Sequence, residues 1–232
     1  MMGNSSFQLW CLAVTLCPMQ STPQQHHTMQ SVVEGALRFQ REVHPTRADL
    51  FSALADGQAP EVLFVSCSDS RVVPELLTQR DPGELFVIRN AGNLVPAYSA
   101  SPGGEAASIE YAVAALGVRD IVVCGHSGCG AMTAVAAGTD PALPAVESWL
   151  HHATPPKVAG ASAPHAPTPA EIDELARENV RLQLTNLTTH PSVAAGLAEN
   201  RLRLHGWLYD IATGQVHALD PGTGRFLALI DA

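Results

Sequence analysis

The sequence predicts an α/β fold: a mostly parallel central β-sheet flanked by helices, with an N-terminal helical arm and a C-terminal hairpin or edge strand. Three observations predict it. Short, continuous apolar runs at "EVLFVSC" (61–67), "GELFVIRNAG" (83–92) and "DIVVCGH" (120–126) read as strands covered on both faces, as in a parallel sheet. The helical stretch "GGEAASIEYAVAALG" (103–117) separates the second run from the third, and strand–helix–strand is the grammar of a parallel crossover. Finally, "NRLRLHGWLYDIATGQVHAL" (200–219) alternates on either side of Thr213–Gly214, as a hairpin does.

The elements follow in order. "MQSVVEGALRFQREV" (29–43) spaces its apolar residues as an amphipathic helix, and "TRADLFSALADG" (46–57) reads as a second short helix stopped by Gly57. Gly117 closes the 103–117 helix. "HHATPPKVAGASAPHAPTPA" (151–170) is rich in Pro and Ala and has no apolar period, so it reads as a surface loop. It ends in "TPAE", where Thr168 as N-cap, Pro169 in the first turn and Glu171 three residues on form a capping box. The helix opened there runs through "IDELARENVRLQLTNLTTH".

The chain has 232 residues, 46% hydrophobic and 15% charged, which suits one well-buried domain over 29–232. Net charge is −9 with only 13 basic residues and no basic cluster, which argues against nucleic-acid binding. Low charge for a soluble chain is consistent with surface hidden by self-association. Five cysteines (11, 17, 67, 124 and 129) are an odd number, which points to a reducing compartment and metal-binding or reactive thiols, not a disulfide framework. "FQLWCLAVTLCPM" (7–19) is apolar, but no Lys or Arg precedes Arg38, and a membrane span needs about 20 apolar residues. Residues 1–28 therefore read as a disordered extension, or as the result of a start assigned too early, with Met29 the true first residue. A cytoplasmic protein without a membrane partner is expected.

The chemistry concentrates at two strand ends. "VLFVSCSDSR" (62–71) delivers Cys67, Asp69 and Arg71; "CGHSGCG" (124–130) delivers His126 and Cys129. Ligand sites in parallel sheets form beyond the carboxyl ends of strands, so both stretches meet at one edge. Two thiolates and one imidazole select Zn²⁺, and three protein ligands leave the fourth tetrahedral position open, as in a catalytic site. Cys124 and the pair His151–His152 are the candidate fourth ligands, but Cys124 reads more simply as a small buried core residue. Asp69 and Arg71 are either a surface ion pair or a working pair. Two residues from a ligand, Asp69 lies close enough to accept a hydrogen bond from a water on the metal, and a bidentate Arg71 would keep it ionised. Asp69 as the fourth ligand, closing the site, is the alternative.

"CSDSR" followed by "GHSGCG" resembles the β-class carbonic anhydrases, as do "DPGELFVIRNAGNLVP", "SIEYAVAALGV" and "LHGWLYDIATGQV", over roughly residues 29 to 220. The resemblance implies Cys67, His126 and Cys129 as zinc ligands and Asp69–Arg71 as the catalytic dyad. It implies hydration of CO2 to bicarbonate and a proton. It also implies a homodimer or tetramer, in which amino-terminal helices wrap a partner and both subunits build the site. The plant-type group of that family lines its pocket with residues that fall here on Gln58, Phe86 and Tyr111. The group with an inhibitory bicarbonate site carries Trp three residues before the first Cys, where this chain has Phe64. An open, plant-type site is thus expected, with Gln58 and the Gly130 amide orienting substrate oxygens and Phe86 in the apolar wall. A hydrolase of CS2 or COS, a non-catalytic zinc scaffold and a thiol redox protein are the competing readings.

Overall fold

The structure, a computed structural model, describes residues 29–153 and 166–229. The reading of residues 1–28, and the middle of the 151–170 loop, lie outside the described residues. The chain divides between Asp56 and Gly57 into two compact units. In the first, α1 (Met29–Arg38) continues through one wider turn (Phe39–Val43) and a 3-10 turn (His44–Arg47) into α2 (Ala48–Ala55). The rings of Phe39, His44 and Phe51 pack together, with His44 stacked on Phe51 at 4.8 Å. None of these elements has a buried residue, and Val32, Val33, Leu37 and Val43 stay exposed.

The second unit is the α/β body. Its elements are β1 (Val62–Cys67), α3 (Pro74–Thr78), β2 (Leu85–Asn90), α4 (Gly104–Glu110), β3 (Asp120–His126), α5 (Gly130–Ala137) and α6 (Pro144–Leu150). They continue with α7 (Pro169–Leu187), α8 (Pro191–Ala198), β4 (Arg203–Tyr209), β5 (Val216–Leu219) and β6 (Phe226–Ala228). One sheet runs β2-β1-β3-β4-β5-β6. Its first four strands are parallel, and β5 and β6 return antiparallel as the expected hairpin with one further edge strand. Among the described residues no helix is long and apolar enough to cross a membrane.

The capping box at Thr168 forms as read: its Oγ1 accepts from the Glu171 N–H, and the Glu171 carboxylate accepts from the Thr168 N–H at 2.7 Å. Helix α7 lies directly on two glycines of the sheet. A Cβ on Gly125 would come within 3.0 Å of Val180 Cγ2, and one on Gly206 within 2.9 Å of Val180 Cγ1. Close approach buries Val180 and Leu187 against Leu63, Val65, Ile121 and Val123 in the main core. Val180 is β-branched and stiff at χ1, so it cannot swing aside cheaply. Gly206→Ala is therefore expected to destabilise the protein by about 1–3 kcal/mol, read as a lowered urea midpoint at unchanged slope.

Candidate metal centre

Parallel register decides where the candidate ligands go. Ser66 on β1 stands opposite Cys124 on β3, so Cys67 and His126 both end adjacent central strands at one carboxyl edge. The chain leaving β3 turns through Gly128, at φ +60°, and returns Cys129 to the same spot as N-cap of α5. The Cys67 Sγ, the Cys129 Sγ and a ring nitrogen of His126 lie within 4.8 Å of one another, and all three residues are buried. His126 Nδ1–H donates to the Ser127 carbonyl at 3.0 Å, which leaves the Nε2 lone pair facing the thiols. That Nε2 is buried without a hydrogen-bond partner. An unsatisfied buried polar atom costs about 1–3 kcal/mol, and a metal ion on Nε2 and two sulfurs removes that cost. The donor set therefore fits a metal.

The two thiols push each other in opposite directions. Hydrogen bonding from Cys129, helped by the Gly92 N–H, outweighs burial and draws Cys67 down to about 4, while the Cys129 thiol is pushed up by Cys67 and by burial. Metal binding needs both deprotonated, and the Ala131 and Met132 N–H groups at the start of α5 favour the Cys129 thiolate. Cys124 takes no part: it packs with Phe64 and Val122, and burial pushes its thiol up to about 12. It is the core residue that the simpler reading expects. Nor do His151 and His152 belong to the metal-holding group.

Asp69 stands beside this group, its Oδ2 3.9 Å from His126 Nε2. Arg71 holds it three times over: the backbone N–H and Nε donate to Oδ1 at 3.0 and 2.9 Å, and Nη2 donates to Oδ2 at 2.7 Å. The Arg71 guanidinium keeps this carboxyl well below the usual carboxylate range. Arg71 Nη2 also donates to the Gly128 carbonyl at 3.2 Å, tying the dyad to the His126–Cys129 turn. From the other side, Asp173 on α7 accepts the Gly128 N–H at 3.2 Å. Arg89 on β2 pins the exit of β1, donating to the Cys67 carbonyl at 3.2 Å and the Asp69 carbonyl at 2.7 Å.

Sequence spacing singled out Cys67, Asp69, Arg71, His126 and Cys129 but missed Arg89, Asp173 and Gly92, whose partners lie 20 or more residues away. The polar "RNAGN" run breaking off an apolar strand was the available signal. Gly130 opens α5 next to Cys129. The remaining pocket residues stand apart. Phe86 is opposite Leu63, four residues short of Cys67, or about 13 Å along the strand. It packs on Tyr111, ring centroids 6.1 Å apart, and Tyr111 is half exposed. Gln58 is exposed in the segment leading into the opposite end of β1. One chain does not gather Gln58, Phe86 and Tyr111 around its own Cys67, His126 and Cys129.

A parallel α/β sheet carrying two thiols, an imidazole and an arginine-held carboxylate at its carboxyl edge defines a metalloprotein of the α/β class. Comparison narrows the class: the sequence profile described as Carbonic anhydrase matches residues 62–216. The chain is 57% identical over 204 residues to a carbonic anhydrase of Pseudomonas aeruginosa, covering 88% of this chain and 93% of that one. Among solved structures it is similar to the β-carbonic anhydrase CcaA, at 43% identity and TM-score 0.81, over 87% of this chain and 99% of that one. It is also similar to one of two tetrameric β-carbonic anhydrases from Sordaria macrospora, at 30% identity and TM-score 0.69, over 83% and 97%. The chain belongs to the carbonic anhydrase family, with the β-class fold.

The arginine-held Asp69 carboxylate makes stability depend on pH. Because the folded carboxyl lies below the unfolded value of about 3.9, the pair's stabilisation is present above that pH and is lost as pH falls through the depressed value. In Arg71→Leu the Asp69 carboxyl is expected to titrate close to 3.9, and in the parent well below it. Carboxyl-carbon NMR of metal-free protein reads both, and equal values in the two proteins would refute the assignment.

Proposed function

We propose that the chain holds one zinc ion through Cys67 Sγ, His126 Nε2 and Cys129 Sγ and catalyses reversible hydration of CO2 to bicarbonate and a proton. The observation that carries this reading is the buried, unpartnered Nε2 facing two thiols, with an arginine-held carboxylate 3.9 Å away. Two thiolates and one imidazole suit zinc among the common divalent ions, and three protein ligands leave a reactant position open. When bound, zinc supplies the Lewis acidity that makes water a nucleophile near neutral pH.

The chain's own residues supply direction. Asp69 Oδ2 carries one bond from Arg71 and keeps a lone pair on the His126 side, where it accepts a hydrogen from the reacting water. Arg71 fills the other oxygen and holds the carboxylate ionised, which favours an open site over Asp69 closing onto the metal. The Gly130 N–H, in the first turn of α5, has no acceptor within the helix and is free to meet a bicarbonate oxygen. Two thiolates leave more negative charge on a metal than imidazoles do, so activity rises with pH.

Gln58, Phe86 and Tyr111 serve the pocket of a neighbouring copy in a homodimer or a tetramer. Their separation from Cys67 on their own chain supports this, as does the unburied apolar face of α1. The similar Sordaria proteins are tetrameric. We assign the protein to the cytoplasm, where thiols such as Cys67, Cys124 and Cys129 stay reduced.

Stopped-flow CO2 hydration by zinc-assayed protein, from about pH 6.5 to 9, tests the function. Turnover should rise with pH, vanish on chelation of the metal and return with zinc; Asp69→Asn should lower kcat/KM by roughly 10²–10⁴-fold. Full activity in Asp69→Asn would remove the dyad from the mechanism. A protein with one zinc per chain, inert to CO2 but active on COS, would replace hydration with hydrolysis of the analogue.

A further inference from the structure

We infer that Trp149 is a positioning residue for the metal centre, acting on the Cys67 sulfur through the peptide bond between Ala91 and Gly92. The inference rests on Cys67 being a metal ligand, as proposed above. Its basis is a chain of contacts. The Trp149 Nε1–H donates to the Ala91 carbonyl at 2.8 Å, and the N–H of the same peptide unit, that of Gly92, donates to Cys67 Sγ at 3.4 Å.

A peptide is one conjugated unit, so a donor on its oxygen draws charge from its nitrogen and makes that N–H a better donor. The indole N–H therefore strengthens the bond that the sulfur receives. It also fixes where the N–H points. Gly92 sits at φ +81°, and a Cβ there would come within 3.0 Å of Ala131 Cβ, so only bare backbone approaches the sulfur here. On the far side, Asn179 Nδ2 on α7 donates to the Gly92 carbonyl at 2.9 Å. Gln183 Nε2 in turn donates to Asn179 Oδ1 at 2.8 Å, and both amides are buried. Gly92 is thus clamped at both of its peptides, by α6 before it and α7 after it.

Packing alone does not account for Trp149. Its ring lies against the cluster that contains Cys67, Cys129 and Met132, a place a phenylalanine would also fill. What phenylalanine lacks is the N–H on the Ala91 carbonyl. A weakened N–H on a ligating thiolate leaves the sulfur more electron-rich and less firmly held in place, so ligand-to-metal charge transfer moves to lower energy and the metal is held less well.

The test uses full-length protein stripped of metal and reloaded with Co²⁺, whose thiolate charge-transfer band reports the sulfur directly, together with competition against a chelator for Zn²⁺ affinity. Trp149→Phe should move the band to longer wavelength and weaken zinc binding roughly 10-fold, with the thermal midpoint of metal-free protein unchanged. Trp207→Phe, which alters a tryptophan packed on Phe64 in another cluster, should do neither. If Trp149→Phe does not fold, benzothienylalanine at position 149 keeps the indole shape without the N–H and must give the same two changes. A parent protein whose band and affinity are left unmoved by loss of the N–H overturns the role of Trp149 alone. A parent protein that binds Co²⁺ with no thiolate band overturns the metal assignment of both Cys67 and Cys129, and with it the reading on which the role of Trp149 rests.

Discussion

The site depends on the parallel pairing of β1 with β3. Adjacent parallel strands end at the same edge about 4.8 Å apart, so once Ser66 stands opposite Cys124, the residues that follow are forced into company. Both strands are buried along nearly their whole length, so a slip of one residue would turn the core side chains to the wrong face. Burial of Leu63, Val65, Ile121 and Val123 thereby fixes the placement of Cys67 and His126. The two side chains need no force of their own to find each other; the core's demand for register delivers them.

A dry edge has a cost, which is met by polar side chains that repair the backbone. The turn after β2 carries peptide groups into the interior, and α7 meets them with a ladder of amides. Gln183 Oε1 accepts the Val95 N–H, Asn186 Nδ2 donates to the Val95 carbonyl, and Asn179 takes the Gly92 carbonyl. Asn90 closes the same turn on itself through both backbone groups of Leu94. Because these amides also bond one another, loss of one would strand several buried groups together. Rigidity around Cys67 is a property of this whole network.

What could be read from the sequence divides along the same line. Cys67, Asp69 and Arg71 fall within five residues, and His126 and Cys129 within four, so a local pattern carried their chemistry. The strands and the Thr168 cap were legible because apolar runs and capping boxes are local too. Arg89, Asp173, Trp149 and Asn179 were not, because each reaches its partner across 20 to 87 residues and only register defines the distance. Short helices such as α6 and α8, opened by Pro144 and Pro191, offered too few turns for a period to show. Phe86 and Tyr111 were legible as a pair by resemblance; their distance from Cys67 on one chain emerged only when Phe86 was seen opposite Leu63.

The self-contained start of α7 makes the chain ahead of it a permissive point for change. Thr168 and Glu171 satisfy the first turn between themselves, so the helix begins where they stand, whatever length of chain arrives there. Residues could accordingly be gained or lost before Thr168 over evolutionary time, or a reporter spliced in, without rotating Asn179 away from Gly92.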